Sequence, residues 1–112
     1  MKTKQILSDV ADIVSEHYNI KITPKDMKGD SRNSKLVMAR LVFSMIMLNK
    51  GLTLKKVGAL IERDHSTVIN YKRQFKFSKV YFDNYGRHMN MIFNNYINPK
   101  YNITLEQLHE TI

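Results

Sequence analysis

Fifteen residues near the middle of the chain, Lys35 to Asn49, read KLVMARLVFSMIMLN. Apart from Arg40 and the two ends, the run offers almost nothing to water, so an ordinary amphipathic surface helix is excluded. It is shorter than the roughly 18–20 residues a membrane span needs, and Arg40 interrupts it. What remains is a helix buried on every side, around which the other elements must wrap. The chain has 112 residues, 43% of them hydrophobic, which suits one core and one domain.

The flanking segments predict those other elements. Ile6, Val10, Ile13, Val14 and His17/Tyr18 fall on one helical stripe, giving a helix from about Lys4 to Tyr18 with an exit at Asn19. Thr23 as N-cap and Pro24 at the first helical position, with Asp26 near the positive end, predict a short helical turn that stops at Gly29. Gly51 is the expected C-cap after the central helix. Thr53 then starts a helix with Leu54, Val57, Leu60 and Ile61 on one face, and Gly58 permits close packing. Arg63-Asp64-His65 has room only for a tight turn before STVINYKRQF, where Val68, Ile69 and Phe75 face inward. Two short helices joined in this way form a helix-turn-helix. Phe82, Tyr85, Met89, Ile92, Phe93 and Tyr96 predict a further helix, broken at Pro99. Thr104 and Gln107 stand at capping-box spacing before a last short helix. No strand pattern is present, and the expected fold is all-α, a compact helical bundle.

Charge is concentrated. Between Ser31 and Val80 eleven lysines and arginines face only Glu62 and Asp64, a net of +9, while the whole chain carries +8. A basic excess gathered around a helix-turn-helix points to phosphate contact, where a merely solvated face would mix signs. There is no cysteine, and the four histidines (His17, His65, His88, His109) are too scattered for a zinc motif, so no metal and no cofactor is expected. The start, MKTKQILSDV, turns polar too soon for a secretory signal, which gives a cytoplasmic expectation with no membrane partner.

ERDHSTVINYKRQ, Glu62 to Gln74, gathers an acid, an imidazole, two hydroxyls and guanidiniums at a helix start. As sequence neighbours, Asp64, His65 and Ser66 cannot form a catalytic triad, so no enzyme is expected. Side chains at the start of a recognition helix face base edges. His65 can donate or accept, Ser66 and Thr67 offer hydroxyls, and the Thr67 methyl can meet a thymine methyl. Asp64 can accept from cytosine N4 or cap the helix, and both can hold at once. Lys72 and Arg73 suit the DNA backbone. Arg40 is either a core arginine paired to Asp9 or Asp12, or a phosphate clamp.

GALIERDHSTVINYKRQF resembles the motif of the C-terminal DNA-binding domain of DnaA, the bacterial replication initiator. Upstream, VADIVSEHYNIKITPKDMKG and SRNSKLVMARLVFSMIML are similar to that family's first helix and to its basic loop and long helix, so the likeness runs from about Ile6 to Asn95. It implies a Trp-repressor-like helix-turn-helix domain over residues 1–97, followed by a C-terminal extension, 98–112. It implies binding to double-stranded DNA in replication initiation or its regulation, and a nucleoid-associated protein. By position, Asp64, His65 and Ser66 match base-facing residues, and Thr67 a neighbour contacting base or backbone. Arg32 matches a minor-groove arginine, Arg40 a phosphate contact, and Arg63 a residue near the DNA backbone. Lys35, Lys55, Asn70, Lys72 and Arg73 complete the expected DNA-binding set. Departures are Ile61-Glu62 where the family has glycine, Ser34 for an arginine, Leu41 for a glutamine, Lys55 for a proline, and Ser66 for a threonine. These keep open a transposase- or repressor-type helix-turn-helix with another DNA site, and a scaffold turned to protein interaction. No G-x-x-x-x-G-K-[ST] motif is present, so no ATPase is expected. Few base contacts per module suggest help from adjacent sites, weak self-association or a replication or transcription protein, with the aromatic stretch Tyr81 to Tyr101 as the candidate surface.

Overall fold

The computed structural model describes residues 2–78 and 83–112. Helix α1 (Thr3–Tyr18) leads through the loop to α2 (Ser34–Asn49), the apolar run. Every residue from Met38 to Met47 is buried, as a helix without a polar face requires. Asn33 starts it, its side chain accepting from the amides of Lys35 at 3.0 Å and Leu36 at 3.4 Å. Gly51, at φ +95°, turns the chain out just past its end.

Helices α3 (Leu54–Leu60) and α4 (His65–Phe77) form the helix-turn-helix and pack on α2 and on each other. Val68, Tyr71 and Phe75 are the buried face of α4, while Ile69 is only half-buried, so the inward stripe passes through Tyr71 instead. The turn closes through Arg63 N–H donating to Gly58 O at 2.8 Å. This contact explains Gly58: a Cβ there would lie 2.5 Å from the carbonyl oxygen of Arg63. Glu62 holds φ +55°, the left-handed conformation that favours glycine. The Thr23–Asp26 segment is a turn and not a helix, closed by Thr23 N–H donating to Asp26 Oδ2 at 2.9 Å.

Helix α5 (Asn84–Ile92) begins at Asp83, whose carboxylate accepts from the amide of Gly86 at 2.7 Å. Phe82, expected at the start of this helix, lies outside the described residues. Pro99 does not break the helix. The chain continues through a π-helical stretch (Phe93–Ile97) into α6 (Asn98–Tyr101) and stops at Asn102, φ +55°. Proline lacks an N–H for the residue four positions back, and the wider π turn absorbs that loss. Finally α7 (Leu105–Thr111) carries the expected capping box between Thr104 and Gln107. Ile103 and Leu108 are buried in the same core as Ile97, α7 packs on α2, and α5 packs on α1. The described residues are helical or irregular, with no strand among them, and none of these helices is long and apolar enough to cross a membrane.

Candidate nucleic-acid interface

The helix-turn-helix presents the N-terminus of α4 on the surface. Asp64, His65 and Ser66 are exposed there, Thr67 is half-buried, and Asn70 and Arg73 follow on the exposed side one and two turns on. Asp64 occupies the capping position with extended backbone, but its side chain makes no capping bond. Its carboxylate points outward and holds the neighbouring heads. Ser66 Oγ donates to Oδ2 at 3.0 Å, and His65 Nδ1 lies 2.9 Å from Oδ1. The Ser66 hydroxyl first, and then His65, keep the Asp64 carboxyl below its usual range. The capping role expected of Asp64 is therefore replaced by a cross-linking one. It restrains an imidazole and a hydroxyl that would otherwise rotate freely.

Beside this head lies a polar cleft of about 310 Å³. One wall is the loop residues Asp30, Ser31 and Arg32. The other is Arg63 with Thr67, Asn70 and Gln74 of α4, and Arg40 lies at the α2 side. Arg63 is half-buried, and its Nη2 is 3.3 Å from Thr67 Oγ1. The loop is anchored to the helix-turn-helix by Gly29 N–H donating to Ile61 O at 2.9 Å, three residues before Arg32.

Arg40 is 1% exposed. Its partners are neither Asp9 nor Asp12 but main-chain carbonyls of the loop. Nε donates to Met27 O at 2.8 Å, Nη1 to Ser31 O at 2.6 Å, and Nη2 to Asp26 O at a marginal 3.5 Å. As found, it organises the loop rather than standing in solvent as a free clamp. Asp9 instead accepts from Tyr101 Oη at 2.8 Å. Lys35 is half-buried, with its ammonium 5.5 Å from the centroid of the Tyr18 ring. Lys55, Arg73 and Lys76 are exposed, and Lys72 is half-buried. Lys79 lies outside the described residues. Five cleft residues, Asp30, Ser31, Val37, Tyr71 and Gln74, were not among those expected from sequence. The signal for Gln74 was its place on the Thr67–Asn70 stripe at helical spacing.

A bundle in which a basic loop is tied to an exposed helix-turn-helix has the architecture of a helix-turn-helix domain. Comparison with known proteins makes this specific: the family model for the bacterial DnaA protein helix-turn-helix matches residues 7–74. The chain belongs to that family. No curated protein and no solved structure matches it. Residues 75–112, including α5, α6 and α7, lie beyond the matched segment.

Proposed function

We propose that this domain binds double-stranded DNA sequence-specifically, with the start of α4 in the major groove and Arg32 in the adjacent minor groove, acting in replication initiation or its regulation. The observation that carries this reading is the shared cleft. Arg32 of the loop and Arg63, Thr67 and Asn70 of the helix-turn-helix all line one cleft, which supports both arms meeting one duplex. In this reading Asp64, His65, Ser66 and Thr67 face bases, with Asn70, Lys72, Arg73 and Lys55 toward the backbone. Arg40 acts through the loop by holding it in place. These residues take part in no catalytic step, ATP hydrolysis or cofactor binding, and the protein acts in the cytoplasm on the nucleoid.

Fluorescence anisotropy tests it, with a duplex carrying an initiator-type box, a scrambled duplex, two salt concentrations and His65→Ala beside the wild type. The expected result is a box preference on the order of tenfold, a difference of about 1.4 kcal/mol. His65→Ala removes the preference and keeps the salt-dependent, non-specific part. Equal binding to both duplexes would favour a transposase- or repressor-type target. No binding at low salt would sink the DNA reading.

A further inference from the structure

Phe75 is the first residue beyond the segment matched by the family model, and it is a fully buried ring of α4. Two of its ring partners come from further along the chain. Phe93, in the π-helical stretch, meets it edge-on with centroids 5.4 Å apart. The imidazole of His109, in α7, lies flat against it, centroids 4.2 Å apart and planes inclined by 12°. Helix α7 itself packs on α2, with Leu108 buried in the core. His109 therefore ties the far end of α4 to an element seated on the central helix. The near end of α4 carries the exposed Asp64, His65 and Ser66, and its first buried side chain is Val68. That end projects past its support, so the direction of α4 rests on Val68, Tyr71 and Phe75. A helix is a stiff rod rising about 1.5 Å per residue, so with Tyr71 as fulcrum Phe75 lies about 6 Å beyond it and His65 about 9 Å before it. A shift of about 1 Å at Phe75 then moves His65 by about 1.5 Å the other way, where binding groups tolerate only about 0.5 Å.

We propose that His109 is a positioning residue for DNA reading: its ring, flat on Phe75, sets the tilt of α4 and so where Asp64, His65 and Ser66 stand in the groove. The role at the groove rests on the binding mode proposed above, whereas the tilt rests on packing alone. Parallel rings in van der Waals contact fix the spacing between their planes. A close-packed interior collapses partly into a void. Without the imidazole, the Phe75 end of α4 is drawn toward α7 and the exposed end swings the opposite way. Ring shape carries the effect, so another flat ring at position 109 holds the same spacing. The family-matched segment, 7–74, contains neither Phe93 nor His109. The C-terminal segment of this chain is thus a lever on specificity that lies outside the helix-turn-helix.

The test compares the full chain with His109→Ala and His109→Phe. NMR residual dipolar couplings of the backbone amides give the angle between α4 and α2 in each, without DNA. His109→Ala should turn α4 by about 5–10°, the angle that about 0.5–1 Å makes over the roughly 6 Å between Tyr71 and Phe75. His109→Phe should restore it. Anisotropy with box and scrambled duplexes should show the preference falling from the order of tenfold to about threefold or less in His109→Ala. Binding to the scrambled duplex should be unchanged, and His109→Phe should recover the preference. An unmoved α4 in His109→Ala overturns the proposal however much stability is lost, because a merely structural contact costs stability without turning the helix. A turned helix with the preference intact, or a failure of His109→Phe to restore either property, also overturns it. Should His109→Ala give no dispersed spectrum, His109→Leu, which fills space without a flat ring, takes its place under the same criteria. If α4 turns and returns as stated but the wild type binds no duplex, the tilt assignment stands and the DNA reading falls. If the wild type prefers the box while α4 stays unmoved, the DNA reading stands and His109 has no part in it.

Discussion

Single residues at the turn set both the shape and the charge of the exposed helix-turn-helix face. Glu62 sits at φ +55° beside an exposed reading head. An L side chain in that conformation costs about 1 kcal/mol or more, and Gly avoids it at some entropic loss. Glu62→Gly should therefore raise the urea midpoint, by about 0.5–1 kcal/mol of stability. It should also tighten DNA binding at low salt by removing an acid from the interface. Gly58 is the opposite case, since its missing Cβ is the space the Arg63 carbonyl occupies. Gly58→Ala should destabilise by about 1–3 kcal/mol in the same denaturation experiment. The two changes, one losing a Cβ and the other gaining one, should have opposite signs, because the first relieves a backbone conformation and the second blocks a backbone contact.

At the scale of elements, the junction of α1 and α5 carries a titratable contact remote from the cleft. His17 Nε2 lies 2.8 Å from His88 Nδ1, with the rings of Tyr18 and Tyr96 also packed against His17. Burial, and then the His88 imidazole, push the His17 pKa below its ordinary value. A histidine whose folded pKa is depressed binds fewer protons when folded than when unfolded as pH falls. Stability is then full above the ordinary histidine range and declines on acidification through and below about pH 6.5. The thermal midpoint should fall between roughly pH 7 and 5, and His17→Gln should flatten that dependence. A midpoint independent of pH over this interval, or an unchanged slope in His17→Gln, would contradict the assignment. The loop between α1 and α2 follows a different logic. The Arg40 guanidinium and the Gly29–Ile61 bond fix it from outside its own sequence.

For the whole molecule, the part matched by the DnaA helix-turn-helix family ends at residue 74, within α4, yet the core continues. Met89, Ile92, Phe93, Ile97, Ile103 and Leu108 belong to the same buried cluster as α2. His109 stacks on Phe75 of α4, ring centroids 4.2 Å apart. Fully burying a large apolar side chain contributes about 1.5–3 kcal/mol, so losing six removes about 9–18 kcal/mol, as much as the whole usual 5–15 kcal/mol stability of a domain. A chain ended after Ser78 should show no cooperative thermal transition by circular dichroism, where the full chain shows one. The C-terminal segment is in this sense part of the DNA-binding body, and its aromatics are drawn largely inward. Tyr101 is tied to Asp9, and Tyr85 and Tyr96 are half-buried, leaving Met91 as the exposed large hydrophobic of α5.

Local patterns in the sequence specified most of the helices and several of their caps. A run like Lys35–Asn49 can only be interior, Asp83 and Thr104 cap through atoms a few residues away, and the basic excess is a property of composition. The helix-turn-helix was legible because its two helices and its turn are contiguous in the chain. What sequence did not reveal depended on partners distant along it. Whether Arg40 met Asp9, solvent or the carbonyls of Met27 and Ser31 depended on how the loop folds back over α2. Asp64 had both a capping bond and its neighbours' side chains within reach, and the outward turn of its carboxylate decided between them. Pro99 stops a helix in isolation, but burial of Phe93, Ile97 and Ile103 favours carrying the chain past it through a π turn. The cleft itself exists only because a loop near residue 30 and a helix near residue 67 are brought together by the core. Caps act over a few residues and can be read from local pattern, whereas the environment of a buried charge is set by every element around it.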